Sequence, residues 1–114
     1  MTKKEKEINA EIERLTPIFV DIERSKLDIV QGLIEDAAFM RITLSYLKRR
    51  INREGATNTM SQGSYSILRE HPAAKLYNTM IQRYSSVIKQ LTDLFPKEVP
   101  KELEDDFDVF VRKR

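Results

Sequence analysis

The stretch "VQGLIEDAAFMRITLSYLKRRI", from Val30 to Ile51, carries apolar side chains at alternating three- and four-residue intervals. The members of this seam are Val30, Leu33, Ala37, Met40, Leu44, Leu47 and Ile51. Such spacing places them on one face of an α-helix. It predicts a helix of about seven turns. The helix should end near Gly55, because glycine tolerates the left-handed geometry that often follows a helix C-terminus. A flanking apolar row consists of Leu27, Ile34, Ala38 and Ile42.

The same spacing returns later in the chain. Pro72 suits the first turn of a helix, and a second seam follows it, made of Tyr77, Met80, Tyr84, Val87, Leu91 and Leu94. A row beside this seam consists of Ala74, Ile81, Ile88 and Phe95. The sequence "DLFP" predicts that the helix ends at Pro96, since proline cannot continue a helix. These two patterns predict a long helical hairpin.

The connection between the two helices lacks a helical period. Residues 55–71, "GATNTMSQGSYSILREH", are rich in Thr, Ser, Asn and Gly. This composition predicts an irregular loop or a small β-hairpin that turns at Gln62-Gly63.

An additional helix is expected at the N-terminus. Its apolar positions are Ile8, Ile12, Leu15, Phe19 and Ile22. Thr16-Pro17 interrupts this pattern and predicts a kink or a fresh start. The sequence "SKLD" at Ser25–Asp28 has the form of a capping box, either opening the next helix or lying within a continuous one.

The chain is therefore expected to be all-α. We divide it into a helical domain, residues 1–96, and an acidic-aromatic tail, residues 97–114. The tail is either a short amphipathic helix or a flexible segment that orders on a partner. The two long helices carry more apolar surface than a simple pair buries, so we expect a homo-oligomer. The positions assigned to the core or to contacts between copies are Val30, Leu33, Met40, Leu44, Leu47, Tyr77, Met80 and Tyr84.

Charge is distributed unevenly along the 114 residues. Residues 1–40 contain six Lys/Arg and nine Asp/Glu, residues 41–90 contain nine and two, and residues 91–114 contain five and seven. The total is only +2, but a basic middle between acidic ends indicates a polyanionic partner. The alternative is a basic surface that balances the acidic ends of its own chain.

Several functional classes are disfavoured. The chain has no cysteine and a single histidine, His71. It has no Gly-rich phosphate loop, nucleophile elbow or metal-ligand spacing, so we expect neither catalysis nor a metal or other cofactor. A lone histidine before proline is typical of a cap or a turn. The start of the chain has no apolar signal core, and no apolar run approaches the roughly 20 residues that span a bilayer. We expect a cytoplasmic protein without membrane contact.

The segment "YLKRRINREG", residues Tyr46 to Gly55, is the candidate binding surface. Helical geometry projects Arg49, Arg50 and Arg53 away from the buried seam, with Tyr46 beside them and Lys48 at its flank. Guanidinium groups suit phosphate oxygens, so we predict that this surface binds DNA. Arg69, His71 and Lys75 follow the loop, and a helical hairpin brings them to the same end. The alternative is a solvated helix end, whose dipole favours cations.

Two segments together resemble the phage terminase small subunits of the P27 type. They are "LIEDAAFMRITLSYLKRRINREG" and "REHPAAKLYNTMIQRYSSVIKQLTDLFP", within residues 25–96. In that family a long helix ends at a glycine, a variable loop follows, and a second helix opens at an "HP"-like start. The resemblance implies an oligomeric ring that binds double-stranded viral DNA in the host cytoplasm and delivers it to the terminase large subunit. It also implies that Phe107 and Phe110 in the tail dock on that subunit, the alternative being a solubilising end.

Two further functions are compatible with a helical protein of this size. The first is a scaffold or adaptor that binds only protein. The second, a regulator with a helix-turn-helix, is disfavoured because no compact pair of short helices joined by a tight turn is visible. Salt-sensitive DNA binding distinguishes the packaging function from the scaffold.

Overall fold

The computed structural model describes residues 1–63 and 65–94 of the chain. The elements in order are α1 (Lys3–Leu15), two short 3-10 helices (Thr16–Phe19 and Arg24–Lys26), α2 (Leu27–Glu54), β1 (Thr57–Gln62), β2 (Tyr65–Glu70) and α3 (Pro72–Asp93). The predicted all-α fold, with a long helical hairpin, an N-terminal helix and a small β-hairpin, is confirmed. The described residues do not include Phe95, nor the tail with Phe107 and Phe110.

Helices α2 and α3 form the body of the molecule, with 28 and 22 residues. They run antiparallel, since Tyr77 lies beside Ile51 near one end and Val87 lies beside Met40 further along. The most deeply buried core positions on these helices are Ile34, Ala37, Ala38, Leu44 and Leu91. The described part of the chain contains no helix of the length and apolarity that a membrane crossing requires.

The predicted seams all belong to the core, but several residues of the flanking rows are buried more deeply than part of the seams. Val30, Leu44, Tyr77 and Tyr84 are buried, whereas Leu33, Met40, Leu47 and Met80 are only partly buried at its margin. Ile34, Ile81 and Ile88 of the flanking rows are buried in the same cluster. Leu15, Phe19 and Ile22 of the N-terminal segment belong to the same buried cluster, so this segment buries part of the apolar surface of the hairpin.

The N-terminal segment contributes Leu15, Phe19 and Ile22 to the core. Pro17 stands in the first turn of the 3-10 helix that follows α1, as the interruption at Thr16-Pro17 suggested. The capping box predicted at "SKLD" was wrong. Helix α2 begins at Leu27 after Lys26, which makes no side-chain capping hydrogen bond, because Ser25 belongs to the preceding 3-10 helix.

Strands β1 and β2 pair antiparallel, from Thr57 opposite Glu70 to Gln62 opposite Tyr65. Of the two predicted turn residues, Gly63 lies in the turn, whereas Gln62 still belongs to β1. Gly63 has φ +65°, a left-handed conformation that tight hairpin turns need and that glycine adopts without strain. Gly55, at φ +88°, ends α2 and donates its amide to the Ile51 carbonyl at 2.7 Å.

Candidate nucleic-acid interface

The end of α2 displays arginines around a shallow depression of about 380 Å³. Arg49, Arg50 and Arg53 line it together with Tyr46, as their helical spacing predicted, and all three arginines are exposed. Lys3 completes the lining. It comes from the first residue of α1, which packs along α2. We call these four cations and Tyr46 the cationic face.

Tyr46 organises the centre of this face. The Arg49 guanidinium lies 4.5 Å from the centroid of its ring, and the Lys4 ammonium lies 5.7 Å from the same centroid. The Tyr46 hydroxyl donates a hydrogen bond to Glu7 Oε1 at 3.0 Å. Loss of hydration and this hydrogen bond raise the pKa of Tyr46 above its ordinary value. The phenol therefore stays protonated at neutral pH and joins α1 to α2.

Among residues 1–63 and 65–94, Glu54 is the one acid that contacts the arginines of this face directly. Its Oε2 accepts hydrogen bonds from Arg50 Nε and Arg53 Nη2, each at 3.1 Å. Its Oε1 lies 2.8 Å from His71 Nε2. The hydrogen bond from His71 and that from Arg53 lower the pKa of Glu54 from 4.5 to about 2. The carboxylate is therefore ionised at neutral pH and offsets part of the positive charge.

His71 joins the cationic face to the start of α3. It is the N-cap residue of this helix, and its Nδ1 accepts the Ala73 amide at 3.0 Å. An accepting Nδ1 carries no proton, so the neutral ring donates through Nε2 to Glu54. The His71 amide donates to the Ala56 carbonyl at 2.8 Å, at the base of the β-hairpin. The prediction that His71 is a cap or turn residue is confirmed.

The other predicted DNA-binding residues do not line this depression. Lys48 faces a separate cleft of about 300 Å³ beside Tyr77. Arg69 lies on β2, where its Nε donates to Asn58 Oδ1 at 3.0 Å. Lys75 is exposed in the first turn of α3. Arg69 and Lys75 are at the same end of the chain's helical hairpin as the arginines, but on other elements.

One cation of the basic middle, Arg41, is paired with an acid inside the bundle. Arg41 Nε lies 3.6 Å from Glu11 Oε2, and Arg14 Nη2 lies 2.6 Å from the same oxygen. The Glu11 side chain is only 8% exposed. The hydrogen bond with Glu11 raises the pKa of Arg14. Beside this network, burial raises the pKa of the Tyr84 hydroxyl. We call Glu11, Arg14 and Arg41 the internal ion network.

The sequence left open whether the N-terminal lysines Lys3, Lys4 and Lys6 share the contact, and it did not indicate the internal ion network. Glu11 is one residue before Ile12 in the apolar row of α1, and Glu7 stands four residues earlier. Acids at the edge of an apolar row are the available signal for partners on a neighbouring helix. Identifying the partners required the register of α1 against α2, which the sequence pattern does not contain.

Comparison of the chain with protein-family models, with curated proteins and with solved structures finds no match. Within residues 1–63 and 65–94, no three His, Asp or Glu side chains are grouped so that they could hold a metal ion. The cationic face is therefore interpreted from its own geometry. It offers guanidinium and ammonium donors around an aromatic ring, an arrangement suited to binding phosphate groups.

Proposed function

We propose that this protein is a non-enzymatic DNA-packaging adaptor, a terminase small subunit. In this function an oligomeric ring binds double-stranded DNA in the host cytoplasm and delivers it to the large subunit, which holds the ATPase and nuclease. The observation that carries the DNA-binding part is the cationic face, where Lys3 of α1 joins three arginines of α2 around Tyr46. The resemblance to the P27-type subunits supports the packaging part, with Phe107 and Phe110 of the tail assigned to the large subunit.

The geometry of α2 suits the phosphates of a duplex. Arg49 and Arg53 are four residues apart, which is about 6 Å along the helix axis. One DNA strand carries a phosphate about every 3.4 Å of duplex axis, so this row reaches about two phosphates. Each subunit would then supply a small number of phosphate contacts. An oligomer multiplies these contacts without requiring a highly charged monomer.

His71 supports the assignment of a binding role rather than a catalytic one. Its Nδ1 accepts the Ala73 amide and its Nε2 donates to Glu54, so neither ring nitrogen is available as a general base. We accordingly assign the chemistry of packaging to the large subunit.

The alternative is a helical scaffold that binds only protein. Two observations favour it. Glu54 already holds Arg50 and Arg53 through hydrogen bonds. In addition, the β-hairpin exposes Tyr65, Ile67 and Leu68, which are large apolar side chains. DNA binding decides between the two functions.

The test is a titration of duplex DNA at two salt concentrations with the variant Arg49→Gln/Arg50→Gln/Arg53→Gln. We expect its affinity to fall at least about tenfold at low salt, and its salt dependence to become shallower, because each lost phosphate contact reduces counterion release. Fluorescence anisotropy with duplexes of two unrelated sequences measures both quantities. The loss should be similar for both sequences, because phosphate contacts carry no base information.

The matched control is Arg24→Gln/Lys26→Gln/Lys89→Gln, which removes the same charge near the opposite end of the bundle. We expect its affinity to stay within about threefold of the wild type, since screening weakens charge effects beyond about 10 Å at ordinary ionic strength. Equal losses in both variants would mean that net charge alone attracts DNA. No DNA binding by the wild-type oligomer would favour the protein scaffold.

A further inference from the structure

The β-hairpin is an arm that projects from the bundle. Its strands pack extensively only on each other. Its links to the helices lie at its base, where His71 N–H donates to the Ala56 carbonyl at 2.8 Å and Asn78 Nδ2 donates to Glu70 Oε2 at 3.4 Å. All six residues of β2 are exposed. A two-stranded hairpin is marginally stable by itself in water, so a second surface that covers the arm would stabilise it.

The arm presents apolar side chains on both of its faces. Successive side chains of a strand point to opposite faces, so Tyr65 and Ile67 share one face of β2 and Leu68 lies on the other. They are 64%, 41% and 70% exposed, respectively. Apolar side chains grouped in this way on a protruding element mark an interaction surface for another protein. The arm also has one cation and one acid, Arg69 and Glu70, and this balance does not favour DNA.

A groove between α2 and α3 also combines apolar side chains with one acid and one base. Phe39, Met40 and Val87 line it, and its volume is about 410 Å³. Phe39 is 48% exposed. Asp36 and Arg83 stand in the same lining. Within the part of the chain that the structure describes, these two charged side chains form no hydrogen bond or ion pair. Ser86 and Gln90 complete the lining, and the Lys4 ammonium lies 5.0 Å from the centroid of the Phe39 ring. The groove therefore combines apolar side chains with one acid and one base in its lining.

The arm does not reach the groove of its own chain. Phe39 precedes Gly55 by 16 residues, which is about 24 Å along α2. Helix α2 is about 42 Å long and each six-residue strand about 20 Å long. Together these lengths account for the 61 Å long dimension of the molecule. The arm thus continues away from the bundle, so the groove that it can enter belongs to another copy.

Charge also selects the surfaces through which copies meet. Two cationic faces repel each other, whereas the arm and the groove each carry one acid and one base. We propose that the arm of one copy occupies the α2–α3 groove of a neighbouring copy in a head-to-tail contact. Contacts of this type join different surfaces, so they repeat from copy to copy, and they form a ring when the rotation between neighbouring copies closes. This inference specifies the contact within the oligomer of the proposed function and does not depend on DNA binding.

The test uses the absence of cysteine from the chain. We introduce Leu68→Cys and Phe39→Cys into one chain and oxidise the oligomer mildly. A head-to-tail contact yields a ladder of covalent multimers on a denaturing gel, because each copy has one thiol in an arm and one in a groove. Each single-cysteine variant yields at least about tenfold less linked product, since its thiols do not meet at a disulfide distance. The control is Leu68→Cys/Ile29→Cys, whose second thiol lies on α2 about 15 Å from the groove.

The remaining outcomes overturn the proposal. Dimers formed by Leu68→Cys alone mean that arms pair with each other, and an intrachain link in the Leu68→Cys/Phe39→Cys chain means that the arm folds back. Absence of a ladder in an oligomer of normal mass by light scattering means that copies join elsewhere, and it leaves the proposed function intact. If the wild-type protein is a monomer, neither the arm contact nor the ring exists.

A second variant, Leu68→Thr, removes an apolar side chain and keeps a residue that suits a strand. It should weaken self-association at least about tenfold, while the far-ultraviolet circular dichroism spectrum stays unchanged.

Discussion

Helix α2 carries one arginine in its middle and three near its end, and the two sites differ in the groups that contact them. In its middle, Arg41 points to the nearly buried Glu11 of α1 and belongs to the internal ion network. At its end, Arg49, Arg50 and Arg53 are exposed on the cationic face. The basic middle of the sequence is therefore not one surface. Neighbouring helices neutralise part of it inside the bundle, and only the remainder is available to a partner.

Substitutions at the two sites should therefore change different properties of the protein. Loss of the internal ion network should lower stability and leave DNA affinity unchanged. Changes on the cationic face should alter DNA affinity more than stability. The following variants test this separation.

The largest effect on stability is expected from Glu11→Gln. It leaves Arg14 and Arg41 facing an amide instead of a carboxylate within a partly dehydrated site. Breaking a fully buried ion pair costs about 3–5 kcal/mol. Because both arginines retain contact with water, we expect a loss of about 2 kcal/mol in the free energy of unfolding. Urea denaturation followed by circular dichroism measures it.

Glu13→Gln is the matched control, since Glu13 is exposed two residues further along α1. Its free energy of unfolding should stay within about 0.5 kcal/mol of the wild type. At a temperature where both variants are folded, both should bind DNA like the wild type. A stable Glu11→Gln protein with weakened DNA binding would show that the two groups of arginines act as one.

An intermediate effect is expected from Glu54→Gln, in opposite directions for binding and stability. Removal of the carboxylate releases Arg50 and Arg53, so DNA affinity should rise by up to about fivefold. Stability at neutral pH should fall, because the ionised carboxylate accepts hydrogen bonds from both arginines and from His71. Fluorescence anisotropy and thermal denaturation measure the two effects.

The pH dependence of stability identifies the carboxylate as the cause. The folded-state pKa of Glu54 is lowered from 4.5 to about 2. Its ionisation therefore stabilises the fold fully above pH 4.5, and this contribution is lost as the pH falls towards 2. The difference in melting temperature between wild type and Glu54→Gln should shrink over that interval. A constant difference, or weaker DNA binding by the variant, contradicts the role given to Glu54.

The helices were predictable because their apolar period depends only on local geometry. The seam from Val30 to Ile51 placed α2 correctly, and the seam after Pro72 placed α3. Gln62 was predicted as a turn residue but ends β1, since nothing in the local sequence distinguishes a last strand residue from a turn residue here. Ile81 and Ile88 are buried in a cluster that several elements form together, including the N-terminal segment, and no single helix pattern encodes such a cluster.

The candidate site, too, was predictable only where it depends on local helical geometry. The arginines share a face because they lie on one helix, and that much follows from 100° per residue. Lys3 joins them only through the packing of α1 against α2. Glu54 and His71 are 17 residues apart and meet across the base of the β-hairpin. Contacts between elements depend on tertiary register, and for this reason the pairing of Arg41 with Glu11 could not be derived from the sequence. The pair of Arg50 and Glu54 is different, because four residues separate them on one helix.

The smallest effect is expected from Tyr46→Phe, which tests whether Tyr46 serves the fold or the ligand. The substitution removes the hydrogen bond to Glu7 but retains the ring beneath the Arg49 guanidinium. The melting temperature should fall by less than in Glu11→Gln, and DNA affinity should stay within about twofold of the wild type. Tyr46→Ala, which also removes the ring, should weaken DNA binding further. If Phe and Ala weaken DNA binding equally, the hydroxyl itself is part of the contact, and the cationic face binds DNA through Tyr46 as well as through its cations.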